Sequence, residues 1–405
     1  MSGLFYKLSM EKFFEFKLKN KNTKNFSNQF LPLSLEYLAD AERIEYKNRS
    51  LKTNYLIDIT HNLLLKYYFK KENTFNLSSL ILKEKYGYQY NYYVGYLLEK
   101  NIIELKKKHI KGKNSRIYKL NESIINDEVK RFKNYDKVLL KKYNKVRSHL
   151  INSNSDLINS DIKKKLVEDL FSVKIDCVKS LSFLDSLIQK RDIYQKNKYS
   201  VESINCKHIF YHFDNFGRFH TNFTILKSFI RKNCLLIDDE STFEIDIENS
   251  QPLFLTKVLE KNLEFLDIQE YLLYKTLTYT GKFYQYLQEK LNITNRKIIK
   301  NLIYRVFFGK NFPNNFDKQF SIIFPTIYNF IKKYKKDNGD YRLLSYELQK
   351  LESNFLFNIV IKKIWSQNSE IKIITCHDSL ICRHSDKMVV EKIFKESLRT
   401  EFNMI

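Results

Sequence analysis

A chain of 405 residues that is 43% apolar and 15% aromatic can bury more than one core, which excludes both a disordered chain and a single small module. Seventy Lys and Arg against 46 Asp and Glu leave a net charge of +24, so a polyanion, and nucleic acid before others, is the partner to consider. No run of 18 apolar residues, no signal-peptide core and no CxxC spacing among the five cysteines argue against a membrane span, secretion, a zinc site or a disulfide framework. The expectation is a cytoplasmic protein with reduced, mostly buried cysteines and no membrane partner, encoded by a phage, plasmid or other mobile element; its oligomeric state is not legible.

Residues 1–50 read as an aromatic, basic leader with short helices. The charge excess is concentrated early, since residues 1–150 hold 31 Lys and Arg against 15 Asp and Glu. From Leu51 three helical patterns (TNYLIDITHNLLLKYYF, NLSSLILKEKYG, YNYYVGYLLEKNI) precede two strand patterns around KGKN, the order of a winged helix over 51–122. In that reading Gln89, Asn91 and Tyr92 enter a groove while Lys111, Lys113 and Arg116 reach phosphates. A small helical domain with a solvated hairpin, or one used for protein contacts, has the same pattern. Residues 123–205 are basic and helix-periodic, predicting two long antiparallel helices that either space two domains or clamp a duplex as a thumb does.

Residues 206–405 carry the chemistry. The alternation in Phe243-Glu244-Ile245-Asp246-Ile247-Glu248 predicts a strand with three carboxylates on one face, whose repulsion solvent, lysine or a divalent cation would relieve. Thr294 or Asn295 is placed to cap a helix that runs to Gly309, which is placed to end it in a left-handed conformation. Arg296, Lys300, Tyr304 and Phe308 repeat every four residues and form one ridge, with cations for phosphate and aromatics for a base. In a lysine-rich chain such a face is ordinarily only solvated. Ile371 to Cys382 reads as two apolar strands with His377 and Asp378 at the tip of the hairpin.

Taken in order, a strand Asp, a helix with R-x-x-x-K and an aromatic-Gly, and a hairpin His-Asp resemble motifs A, B and C of the family A DNA polymerases. Asp246 and Lys300 are 54 residues apart, close to the family's gap, whereas Lys300 and Asp378 are 78 apart, which implies a trimmed subdomain between motifs B and C. Upstream, Gly217-Arg218-Phe219-His220-Thr221 is similar to the family's GRxHxxF segment against the primer–template duplex, with Arg231 standing in for a missing arginine. Gln349 falls loosely in the place of the family's glutamine-bearing helix.

The resemblance implies an α+β, mostly helical chain with a right-hand palm, fingers and thumb behind the winged-helix-like domain. It implies that Asp246 and Asp378, with the Ile247 carbonyl, hold two magnesium ions for which manganese can substitute. Arg296 and Lys300 would grip the triphosphate, Lys300 also protonating the leaving group, while Tyr304 and Phe308 stack near the incoming base. Gly309 would admit the template backbone, and His377 would touch the primer terminus. Gln251 stands where the family has a sugar-discriminating glutamate, and Phe308 and Ser379 stand where it commonly has Tyr and Glu. The His-Asp-Ser triplet is that of single-subunit RNA polymerases. Three readings therefore stay open on the residues: a DNA polymerase without proofreading, a single-subunit RNA polymerase, and a DNA-binding replication protein whose polymerase-like half is inert. The partners implied are a primer–template and nucleoside triphosphates.

Overall fold

The computed structural model describes residues 26–403 apart from 71, 110–115, 144–156, 208, 210, 312–314 and 338. Lys111 and Lys113 lie outside the described residues. The chain is α+β and mostly helical, and its described residues divide into two compact units: those within 1–153, 173–212 and 221–235 form one, and those within 154–172, 213–220 and 236–405 the other. No helix among the described residues is long and apolar enough to cross a membrane.

The first unit opens with β1 (Ser27–Pro32) and the hairpin β2 (Arg43–Tyr46) and β3 (Arg49–Lys52). Lys47 and Asn48 both have positive φ, the geometry a two-residue hairpin turn demands. Of the short helices expected in the leader, its described part holds one, the 3₁₀-helix Leu33–Leu38, and the rest is mainly strand. Helix α1 (Thr53–Lys70), β4 (Phe75–Asn76), α2 (Ser79–Tyr86), α3 (Tyr90–Glu99), β5 (Ile103–Lys107) and β6 (Ile117–Leu120) follow, and the strands pair in the order β4-β6-β5. Their core is aliphatic and tyrosine-rich, with Leu56, Ile57, Leu97, Ile102 and Leu120 fully buried.

Among the described residues, the two long helices expected after residue 122 are interrupted by strands. Val129–Asn134 is instead a strand, β7, paired antiparallel with β1 from Ser27↔Asn134 to Pro32↔Val129. Tertiary pairing overrides the local period there. Further on, the β-branched Val173–Ile175 is a short strand, and Asp176 caps a new helix, α4 (Cys177–Asp185), by accepting from the Lys179 amide; α5 (Arg191–Asn205) and α6 (Ser228–Asn233) complete the unit.

The chain enters the second unit along β8 (Leu235–Ile237) and turns through Asp238 and Asp239, both left-handed, into β9 (Glu240–Asp246). Strand β9 pairs antiparallel with the second arm of a hairpin, β10 (Ile374–Cys376) and β11 (Ser379–Arg383), in a register that sets Asp246 against Ser379 and leaves β10 at the edge. Helices surround this sheet: α7 (Ser250–Glu260), α8 (Ile268–Tyr279), α9 (Phe283–Leu291), α10 (Arg296–Phe308), α11 (Asn315–Ile323), α12 (Pro325–Asp337), α13 (Leu343–Asn354) and α14 (Lys387–Phe402). Helix α13 runs on through a π-helical stretch, Phe355–Ile361. Phe254, Phe355, Phe394 and Phe402 meet edge-to-face or tilted at 5.3–6.3 Å and fill the core behind it.

Candidate active site

The strand expected around Asp246 and the hairpin expected around Asp378 form as neighbours. Strand β9 ends at Asp246, so Ile247 and Glu248 lie beyond it, and Glu248 does not share a strand face with Glu244 and Asp246 as the alternation predicts. Its carboxylate sits instead over Gly281, where a Cβ would come within 2.2 Å of Oε2. Asp246 is exposed. Across the ladder the two-residue turn His377-Asp378 closes the hairpin, with His377 left-handed at φ 58°. The Ile247 amide donates to the Asp378 carbonyl at 3.3 Å, which fixes the two aspartates' backbones side by side.

The electrostatics of this corner are unbalanced. Burial first, then the Glu352 and Asp246 carboxylates, push the Asp378 carboxyl up to about 6, and Lys300 offsets this only in part. Among the described residues no Lys or Arg forms an ion pair with Asp246 or Asp378, and no group of three or more His, Cys, Asp and Glu side chains is arranged to hold a metal. The donors are two carboxylates with hard oxygen atoms, a set that suits magnesium rather than zinc.

Helix α10 supplies the cations. Asn295 is its cap, accepting from the Lys297 amide at 3.0 Å, and Ile299, Ile303, Val306 and Phe307 bury one face. Of the ridge expected, Arg296 and Lys300 are exposed, and Tyr304 and Phe308 are half-buried. The Arg296 guanidinium lies 5.5 Å from the Tyr284 ring, the Lys300 ammonium 5.4 Å from the Tyr304 ring, and the Tyr304 and Phe308 rings 5.4 Å apart. Tyr284, on α9, is buried, and burial followed by Tyr304 pushes its hydroxyl up, with Asp378 adding to the effect.

Gly309 ends the helix, but not as expected. Its φ of −77° is extended rather than left-handed, and the residue is small because a Cβ would meet the Arg305 carbonyl oxygen at 2.6 Å. Buried Lys335 donates to the carbonyls of Val306 at 2.5 Å and Gly309 at 2.8 Å, satisfying the helix end; burial first, then Lys332, lowers its ammonium to about 8.

Glu352 is the hub that sequence reasoning missed. Only 2% exposed, it accepts from Arg218 at 2.6 and 3.1 Å, from the Ser250 hydroxyl at 2.6 Å and from the Gln251 amide. Arg218 is therefore spent on an internal ion pair, and Gln251 is buried with its own Oε1 unpartnered. The signal was present: Leu344, Leu348 and Glu352 repeat at helical spacing, and a carboxylate in a core position needs a partner. Tyr284 left no such signal.

The remaining residues divide. His220 is hydrogen-bonded to Asp214 at 2.9 Å, and its ring lies 6.3 Å from that of exposed His377. Gln349 donates to Ser345 on its own helix at 2.8 Å. Ser379, buried, donates to Glu244 at 2.8 Å. Thr221 and Arg231 belong to the first unit, where Thr221 is the fully buried cap of the short helix Asn222–Ile225. Arg116 is exposed at the entry to β6. No protein-family model and no curated protein matches the chain.

Proposed function

We propose that the chain is a template-directed nucleotidyltransferase that adds deoxynucleotides to a primer 3′-hydroxyl on a DNA template, without a proofreading exonuclease. The observation that supports this most is the pair Asp246 and Asp378, set on hydrogen-bonded neighbouring segments, lacking a cation of their own and lying in the field of Lys300. Charge left uncompensated in a folded chain is where a ligand completes the balance. Asp246 and Asp378, with the Ile247 carbonyl, would hold two magnesium ions, which lower the pKa of the primer hydroxyl and neutralise charge on the triphosphate when bound. Arg296 and Lys300 bind the phosphates, and Lys300 delivers a proton to the departing pyrophosphate. Tyr304 and Phe308 present ring faces to the base.

The described elements between residues 53 and 120 run helix, strand, helix, helix, strand, strand, which supports reading this part of the first unit as winged-helix-like, with exposed Gln89, Asn91 and Arg116 as its nucleic-acid face. Arg116→Glu is expected to weaken duplex binding and to lower its salt slope by about 1; an unchanged slope would contradict that reading.

Primer extension with magnesium, run with deoxynucleotides and with ribonucleotides, tests the activity. The expected result is extension with deoxynucleotides by the wild type and none by Asp246→Asn. Extension with ribonucleotides alone would make the chain an RNA polymerase, and no extension by protein that binds the template would make it a binding protein.

A further inference from the structure

The first unit carries a surface groove on the helix that also holds Arg231. It lies between α4 and α6, encloses about 560 Å³, and has Val178, Phe183 and Phe229 as its apolar part. Val178 is 81% and Phe229 46% exposed, so these side chains are presented rather than buried. The rings of Phe183 and Phe229 are stacked, 4.2 Å between centroids and 18° from parallel. A parallel pair with one face open can be extended by a third flat ring.

The rest of the lining decides which ring. Lys179 stands at the rim, and Ser182, Ser186 and Asn233 supply neutral polar groups; among the described lining residues there is no carboxylate. Lys232 is exposed on the same helix as Phe229. Asp176 reaches the Lys179 ammonium only at 3.7 Å, with the lysine side chain 69% exposed, so the cation stays available to a phosphate. An acidic or aliphatic protein segment would use the charge or the apolar floor, whereas a nucleobase with its phosphate uses the charge and the parallel stack together.

We propose that this groove binds single-stranded nucleic acid, stacking a base on Phe229 with Lys179 holding the adjoining phosphate. The proposal stands apart from the nucleotidyltransferase reading, since it needs neither metal nor nucleotide.

Fluorescence anisotropy of labelled ten-nucleotide oligo-dT and oligo-U on the full chain, in chelator, tests it. Phe229→Ala is expected to weaken binding by roughly 5- to 150-fold, the cost of one base stack, and Lys179→Glu to weaken it and reduce the salt slope. Both substitutions fall on exposed positions, and an unchanged circular dichroism spectrum shows that the fold is kept. Phe229→Leu keeps the apolar floor and removes the ring; it is expected to bind as poorly as Ala. Phe229→Trp supplies a local reporter, whose emission is expected to be quenched by the oligonucleotide over that of Trp365 in the parent chain. Preferential loss of oligo-dT or of oligo-U in these variants identifies the strand as DNA or RNA. Wild-type binding by Phe229→Ala, or by Phe229→Leu, would overturn the proposal.

Discussion

Each unit buries carboxylate charge, and the two treat it oppositely. In the first, Asp58 on α1 is wholly inaccessible and accepts from Gln29 at 2.5 Å, Tyr86 at 2.6 Å, Asn62 and Tyr143, with the Lys85 ammonium 2.8 Å away. Burial alone would raise its carboxyl, but Lys85 and the hydroxyls hold it below the ordinary value. In the second, Asp378 is pushed up by burial and by two further carboxylates, with Lys300 as a partial offset. A carboxylate given its own cation and a full set of donors closes a structural account. One surrounded by like charge stays open to a ligand, and that difference separates a core acid from a site acid more cleanly than burial does.

The sharpest way to break the comparison is to remove the cation of the closed pair. Lys85→Met is expected to destabilise the first unit by about 3–5 kcal/mol, because it leaves Asp58 buried and uncompensated; a denaturant titration whose midpoint is unmoved would contradict the closed pair. Asp378→Asn is expected to act in the other direction, raising stability in metal-free buffer by about 1–2 kcal/mol through relief of the buried charge. A large destabilisation on thermal melting would mean that the acid is structural after all.

A smaller effect comes from Asp169, which accepts from the Ile373 amide at 2.8 Å and is pushed up to about 6, chiefly by burial. A folded-state value above the unfolded one means that its contribution is fully present below about 3.8 and is lost as pH rises through 6. Asp169→Asn is thus expected to be more stable than the wild type above pH 6, by about 1 kcal/mol after loss of its Lys165 contact, with the gap closing below pH 4. Parallel stability curves across that range would rule this out.

What was legible in the sequence follows from which interactions are local. Helix α10, its Asn295 cap and the ridge Arg296, Lys300, Tyr304 and Phe308 depend on a four-residue period, and the turn at His377-Asp378 depends on two short apolar runs. Strand β7 was misread because its basic pattern also suits a helix, and its partner β1 lies about a hundred residues upstream. Gly309 was read from a common helix ending, whereas the Arg305 carbonyl and Lys335 decide its conformation. The Arg218–Glu352 pair joins residues 134 apart, so no spacing rule could have removed Arg218 from the duplex-facing set.

Primer extension by Asp378→Asn and Lys85→Met, side by side at a temperature where both are folded by circular dichroism, separates a site acid from a core acid. Lys85→Met, although less stable, is expected to extend at the wild-type rate, and the more stable Asp378→Asn to lose more than about a thousandfold. Extension by Asp378→Asn at the wild-type rate would contradict that distinction.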